Sequence, residues 1–250
     1  MPAFLNKFQL PAVSEPEGMS MKRKIRKTAV CLFFVGLAFC LGGPVFLHAG
    51  PQEDEPLQAG IRHMADREYD AAVTDFQKAA QKNESDPEIL HQLGVALIHT
   101  GELEKAQTTL EKAIALKPDY AEAYFNIGLI YANYRQDPLG AKEYFEETLR
   151  LDPDFAEAYH ALGLVKMMAE SKPEEAATLF SQSVRLDPNL AQAHFGLGMA
   201  YILMGKPQEV PPIVKILKEL GQPMYASSLE SLIRGDAVFL GEQRDQERKA

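Results

Sequence analysis

The sequence predicts an all-α solenoid of about five helix–turn–helix repeats, followed by a C-terminal capping helix. Three observations carry this. The phrase "LKPDYAEAYFNIGLIY" beginning at Leu116 returns as "LDPDFAEAYHALGLVK" at Leu151 and "LDPNLAQAHFGLGMAY" at Leu186, an interval of 35 residues. Glycine, alanine and a large apolar residue recur at fixed places within each copy. Prolines fall between the helix-patterned stretches, where they start or stop helices instead of breaking them.

Taken in chain order, residues 1–20 carry Glu15, Glu17 and three prolines, which suits neither a signal nor a folded element; this stretch is disordered or untranslated, with the start at Met19 or Met21. The basic cluster "MKRKIRK" from Met21 runs straight into the apolar "TAVCLFFVGLAFCL", as in an export signal. Residues 21–49 are therefore read as a signal peptide cleaved after Ala49, which places the mature chain in the periplasm or secretes it. An uncleaved inner-membrane anchor over residues 29–47 is the alternative, since 19 residues approach the roughly 20 that span a bilayer. A third reading, a lipoprotein signal ending at Cys40, meets bulky Phe39 where that motif wants a small residue. Both cysteines, Cys31 and Cys40, fall inside this signal, so the exported part can form no disulfide.

The repeat array is expected over residues 53–220. From Pro87, "PEILHQLGVALIHTGELEKAQTTLEKAIALKPD" shows a helical apolar stripe, a break at Gly101, a second amphipathic run and a terminating proline. The same order follows from Ala121, from Ala156 and more loosely from Ala191, and a weaker first copy occupies Glu53 to Asp86. Gly94, Gly128, Gly163 and Gly198 recur within the first helices, where glycine costs about 1 kcal/mol relative to alanine; a repeated cost implies repeated close helix contact. Ala72, Ala106, Ala141 and Ala176 permit the approach from the second helices, and Phe76, Leu110, Phe145 and Phe180 follow four residues later on the same face. The third and fourth copies carry one extra residue, assigned to the turn. In the last copy Pro211 and Pro212 delay the second helix to about Pro212. Residues 222–234, with Tyr225, Leu229 and Leu232 on one face, form the capping helix, and 236–250 a charged, disordered tail.

This pattern resembles the tetratricopeptide repeat. The family's large, Leu-Gly, Ala, aromatic and Pro positions read Leu90, Leu93-Gly94, Ala106, Leu110 and Pro118; then Tyr124, Ile127-Gly128, Ala141, Phe145 and Pro153; then Tyr159, Leu162-Gly163, Ala176, Phe180 and Pro188. Lys166 departs from it, standing where the family prefers a large apolar side chain or Tyr, and implies looser packing there. The resemblance implies a right-handed superhelix whose concave face, lined by first helices, binds peptides or partner proteins. On that basis the groove would be lined by His91, Val95 and Ile98; Phe125, Leu129 and Asn133; His160, Leu164, Met167 and Met168; and Phe195, Met199 and Ile202. The same residues could instead be core. The family's carboxylate clamp is matched only at Asn126.

Other functions find little footing. Residues 1–50 hold 6 of the 26 Lys+Arg and 2 of the 35 Asp+Glu, leaving 20 basic against 33 acidic side chains beyond them, a balance that opposes nucleic-acid binding. The exported part has no cysteine nucleophile, no glycine-rich phosphate loop and no His-Glu metal spacing, so no enzyme activity, metal or cofactor is expected. His91 and His160 stand two repeats apart, about 20 Å at 8–10 Å per helix, and are read as imidazoles on solvated faces. The expected function is a non-enzymatic protein–protein interaction adaptor or scaffold in a bacterial envelope. The alternatives are an assembly factor or chaperone for a secreted or outer-membrane complex, and a regulatory subunit of an envelope enzyme acting on cell wall or polysaccharide.

Overall fold

A computed structural model describes residues 55–235. The signal or anchor at 21–49, the segment before it and the tail at 236–250 lie outside the described residues. Among those described, regular structure is helical throughout: α1 (Pro56–Ala65), α2 (Tyr69–Lys82), α3 (Pro87–Thr100), α4 (Leu103–Leu116), α5 (Ala121–Leu129), α6 (Pro138–Leu151), α7 (Ala156–Met168), α8 (Pro173–Leu186), α9 (Ala191–Leu203), α10 (Val210–Glu219) and α11 (Pro223–Arg234). Each packs mainly on its neighbours in sequence, which makes the molecule a solenoid of helix pairs.

Local chemistry fixes the ends. The Asp86 carboxylate accepts hydrogen bonds from the Glu88 and Ile89 backbone N–H groups, and Asp137 accepts one from Gly140, so these side chains cap α3 and α6. Pro87, Pro138, Pro173 and Pro223 sit in first turns, where a missing N–H leaves no bond unmade. At the matching place in all five turns within a pair, the chain takes a left-handed residue: Arg67 (φ 61°), Gly101 (φ 82°), Gln136 (φ 54°), Ser171 (φ 55°) and Gly205 (φ 70°). This is the terminating geometry that glycine favours.

The glycines recurring in first helices do receive the opposing helix. A methyl group on Gly94 would lie 2.7 Å from the Leu110 side chain; on Gly128, 2.6 Å from Phe145; on Gly163, 2.7 Å from Phe180. Ala72, Ala106, Ala141 and Ala176 are fully buried, as are Phe76, Leu110, Phe145 and Phe180. Phe180 also meets the next repeat, 2.7 Å from a methyl on Gly196. One side chain thus holds a pair together and joins it to its successor.

Three expectations are corrected. In the third copy the extra residue enters the helix instead of the turn: α5 widens into a π-helical segment, Ile130–Tyr134, with the Arg135 N–H donating to the Ile130 carbonyl. Around Lys166 the packing is ionic and not merely loose. Its ammonium lies 3.0 Å from Glu170 and 3.1 Å from Glu175, and Glu170 also receives Lys142 and Lys172, both at 3.0 Å. Hydrogen bonds from Lys142, Lys166 and Lys172 hold the Glu170 carboxyl down at about 2. In the last copy α10 begins at Val210, earlier than Pro212, after a 3-10 turn at Pro207–Glu209; the two prolines occupy its first turn, where they cost nothing.

At the C-terminal end, α11 covers α9 and α10. Leu229 fills the notch at Gly198, 2.6 Å from where a methyl would stand. Tyr225 stacks on Phe195 with centroids 4.9 Å apart.

Candidate partner-binding face

The first helices α3, α5, α7 and α9 form one layer. Contact between neighbours is direct: His91 Nε2 on α3 lies 2.9 Å from Asn126 Nδ2 on α5. At 100° per residue, a stripe about 100–140° round the helix from Gly94, Gly128, Gly163 and Gly198 holds Glu88, Val95 and His99; Glu122, Leu129 and Asn133; Glu157, Leu164 and Met168; Gln192, Met199 and Leu203.

The predicted lining divides in two. His91, Val95, Ile98, Phe125, Leu129, His160 and Phe195 are buried, with Phe125 and Phe195 each 8% exposed. Asn133, Leu164, Met167, Met168, Met199 and Ile202 are half-buried and reach the surface, and Leu203, absent from the predicted lining, is 57% exposed. The apolar face is therefore open over α7 and α9 and closed over α3 and α5.

The reason for the closure repeats. Each of α3, α5 and α9 carries, at its fifth position, a ring that is wedged under an aromatic side chain at or near the start of a following helix. His91 lies 4.8 Å from Tyr120, Phe125 lies 4.9 Å from Phe155, and Phe195 meets Tyr225. Phe125 also meets Phe145 at 5.7 Å. The sequence did carry a signal for this, since an aromatic stands directly before α5 and α7 at Tyr120 and Phe155. Asn126, the one match to the carboxylate clamp, is buried against His91.

The histidines correct the expectation of solvated imidazoles. Burial pulls His91 down to about 4, opposed by the nearby Glu88 carboxylate and assisted by Lys117. Burial alone pulls His160 down to about 4. In both, Nδ1 lacks a hydrogen-bond partner, so each is a neutral ring accommodated in apolar packing. His99 stacks on Tyr69 at 4.3 Å, His63 Nδ1 lies 2.9 Å from Asp75, and His194 Nε2 lies 2.9 Å from the Pro188 carbonyl. Among the described residues no three His, Cys, Asp or Glu side chains gather as metal ligands, and no helix is long and apolar enough to cross a membrane.

Carboxylates border the layer where the first helices begin. Glu88 accepts from the Tyr120 hydroxyl at 2.7 Å and from Gln92 at 3.1 Å; burial pushes its carboxyl up, but these bonds outweigh it and the net shift is downward. Glu122 is exposed and Glu157 half-buried. Their common register at the second position of α3, α5 and α7 is visible in the sequence. A separate cleft of about 680 Å³ lies among α2, α3 and α4, lined by Gln77, Gln81, Leu90, Leu93, Thr109 and Lys112; it holds no convergent set of titratable groups.

Known proteins share this architecture. Sequence descriptions of the tetratricopeptide repeat match residues 63–127 and 121–155. Over 88 residues the chain is 30% identical to a peroxisomal targeting signal receptor from Kluyveromyces lactis, covering 34% of this chain and 16% of that protein's length. Among solved structures, a thermophilic TPR protein of Thermus thermophilus is 24% identical with a TM-score of 0.57, covering 71% of this chain and 97% of that one. MamA from Desulfovibrio magneticus RS-1 is 23% identical with a TM-score of 0.56, covering 68% and 96%. These structural likenesses show the fold, and the two matched stretches span the same Gly, Ala and large apolar positions that pack the pairs. Residues 63–155 of the chain belong to the tetratricopeptide repeat family.

Proposed function

We propose that this chain is a non-enzymatic adaptor or scaffold of a bacterial envelope that binds a peptide or an amphipathic helix of a partner protein on the face opened by α7 and α9. The observation that carries the reading is the line of partly exposed large apolar side chains there: Leu164, Met167, Met168, Met199 and Ile202, with Leu203 beside them. Contiguous apolar surface of this kind serves recognition, and methionines adapt to varied partner shapes. Repeats of this family are interaction modules, and the relative in Kluyveromyces lactis bears the name of a receptor for a targeting signal, which supports a peptide or protein partner. The envelope setting rests on the basic cluster at Lys22 to Lys27 and the apolar run after it.

The test is affinity capture from envelope extracts with the wild type and with a Met168→Ser/Leu203→Ser variant, together with the N-terminal sequence of the exported chain. A stoichiometric protein held by the wild type and lost by the variant is expected, and a mature N-terminus near Gly50. Equal capture by both proteins removes the α7–α9 face from the reading; full-length protein confined to the cytosol removes the envelope.

A further inference from the structure

From the charge pattern along the first-helix layer we infer that the partner segment is cationic: an amphipathic α-helix that sets its apolar side on α7 and α9 and carries Lys or Arg residues along the flank facing the starts of α5 and α7. This inference rests on the proposed binding face. It adds the chemistry of what lies there.

Four carboxylates form two Asp-x-x-Glu pairs in register, Asp119 with Glu122 and Asp154 with Glu157. The equivalent places before and within α9 are neutral, Asn189 and Gln192, so the acidic edge is confined to α5 and α7. Asp119, Glu122 and Asp154 are exposed, and none of the four enters an ion pair with a described Lys or Arg. The nearby Lys117 ammonium is instead seated over the Tyr120 ring, 4.2 Å from its centroid. A glutamate in a first turn also favours its own helix dipole, which accounts for Glu122 and Glu157 singly. It does not account for the aspartates outside the helices, nor for the missing cations.

The acidic edge adjoins the open apolar face. On α7, Glu157, Leu164 and Met168 lie on one stripe, and eleven residues at 1.5 Å each make it about 16 Å from carboxylate to thioether. A helix laid across the layer meets successive first helices every 8–10 Å, and residues seven apart on such a helix are separated by about 10.5 Å. Cationic residues at heptad spacing along one flank therefore match Glu122 and Glu157, while leucines on the other side of the same helix, running on over α9, meet Leu164, Met199 and Leu203.

The experiment titrates the full chain with three labelled helical peptides of identical leucine face: one with lysine at heptad spacing on one flank, one with glutamate and one with glutamine there. The lysine peptide is expected to bind at least about 5-fold tighter than the glutamine peptide at about 50 mM salt and the glutamate peptide weaker than both, with the preference fading by about 0.5 M salt as the screening length shortens. Glu122→Gln/Glu157→Gln should erase the preference while leaving the glutamine peptide's affinity unchanged and lowering the melting temperature only by what two first-turn charges contribute to their helices. Equal binding of all three peptides, lost on Met168→Ser/Leu203→Ser, overturns the cationic inference and leaves the apolar face standing. Binding of all three that ignores both variants overturns the face as well, and concentration-dependent self-association that blocks the peptides assigns the face to a second copy and overturns the inference.

Discussion

Gly128 and Phe145 are in contact across the third helix pair so closely that a methyl group on the glycine would stand 2.6 Å from the ring's Cε1. The ring is fully buried, with Phe125 against it, and cannot swing into solvent. The glycine's helix-propensity cost is thus offset by the packing it permits.

Gly128→Ala is therefore expected to destabilise the protein. Alanine recovers about 1 kcal/mol of helix propensity, but overpacking a filled core costs about 1–3 kcal/mol, for a net loss centred on about 1 kcal/mol. Adding Phe145→Ala, which removes the obstructing ring, should give a double variant whose loss is smaller than the sum of the two single losses. Urea denaturation of the single and double variants measures it; a Gly128→Ala protein as stable as the wild type contradicts the account.

The left-handed turn residues offer the opposite change. Gln136 and Ser171 hold φ at 54° and 55°, where a side chain costs about 1–2 kcal/mol and glycine costs a smaller backbone entropy. Gln136→Gly and Ser171→Gly should each raise stability by about 0.5–1 kcal/mol. The same replacement at exposed Lys112, in the interior of α4, should lower it by a similar amount, and the sign difference in thermal melts is the check.

Buried His91 and His160 set a pH dependence. Their folded pKa values, about 4, lie below the ordinary value near 6.5, so the unfolded chain takes up protons first. Stability from these rings is complete above about pH 6.5, falls as the pH drops toward about 4 and is flat below that, by up to about 3 kcal/mol for each ring. Glu88 and Glu170, whose pKa values are lowered, lose their contribution at more acidic pH. His160→Asn, measured by urea midpoints near neutral pH and about two units below it, should flatten the upper part of that slope; an unchanged slope would mean the ring is not held neutral.

Core and binding face separate by mutation. Phe195→Ser removes a buried ring stacked on Tyr225 and should cost about 3–5 kcal/mol. Leu203→Ser alters a side chain already mostly in water and should shift stability by less than about 0.5 kcal/mol. Parallel melts of the two decide it, and a large loss at Leu203 would place that residue in the core.

The pair architecture was legible because its cause is local and repeated. Gly163 and Phe180 announce their contact by standing in the same order and nearly the same interval as Gly94 and Leu110. The burial of Phe125 was harder to read, because the side chain that covers it, Phe155, belongs to the next repeat and sits before a helix, where helical periodicity does not count it. The acidic edge was visible as letters, yet its meaning depends on which cations it lacks, and that is set in three dimensions by Lys117 turning to a tyrosine ring. Nothing in the spacing of the third copy distinguishes a residue inserted in a turn from one absorbed by a π-helical segment, since both restore the phase of α6.

The notch at Gly198 carries a different lesson from its counterparts. Within the inner repeats the notch is filled by the partner helix of the same pair, so each pair is self-sufficient and leaves a new edge on which another can build. At Gly198 the filling side chain is Leu229, delivered from α11, beyond the pair. Growth of the array by one more repeat would have to evict it. The length of the interaction surface is thus a property that one leucine sets, and lengthening or shortening this protein by whole repeats is permitted upstream of α9 but not after it.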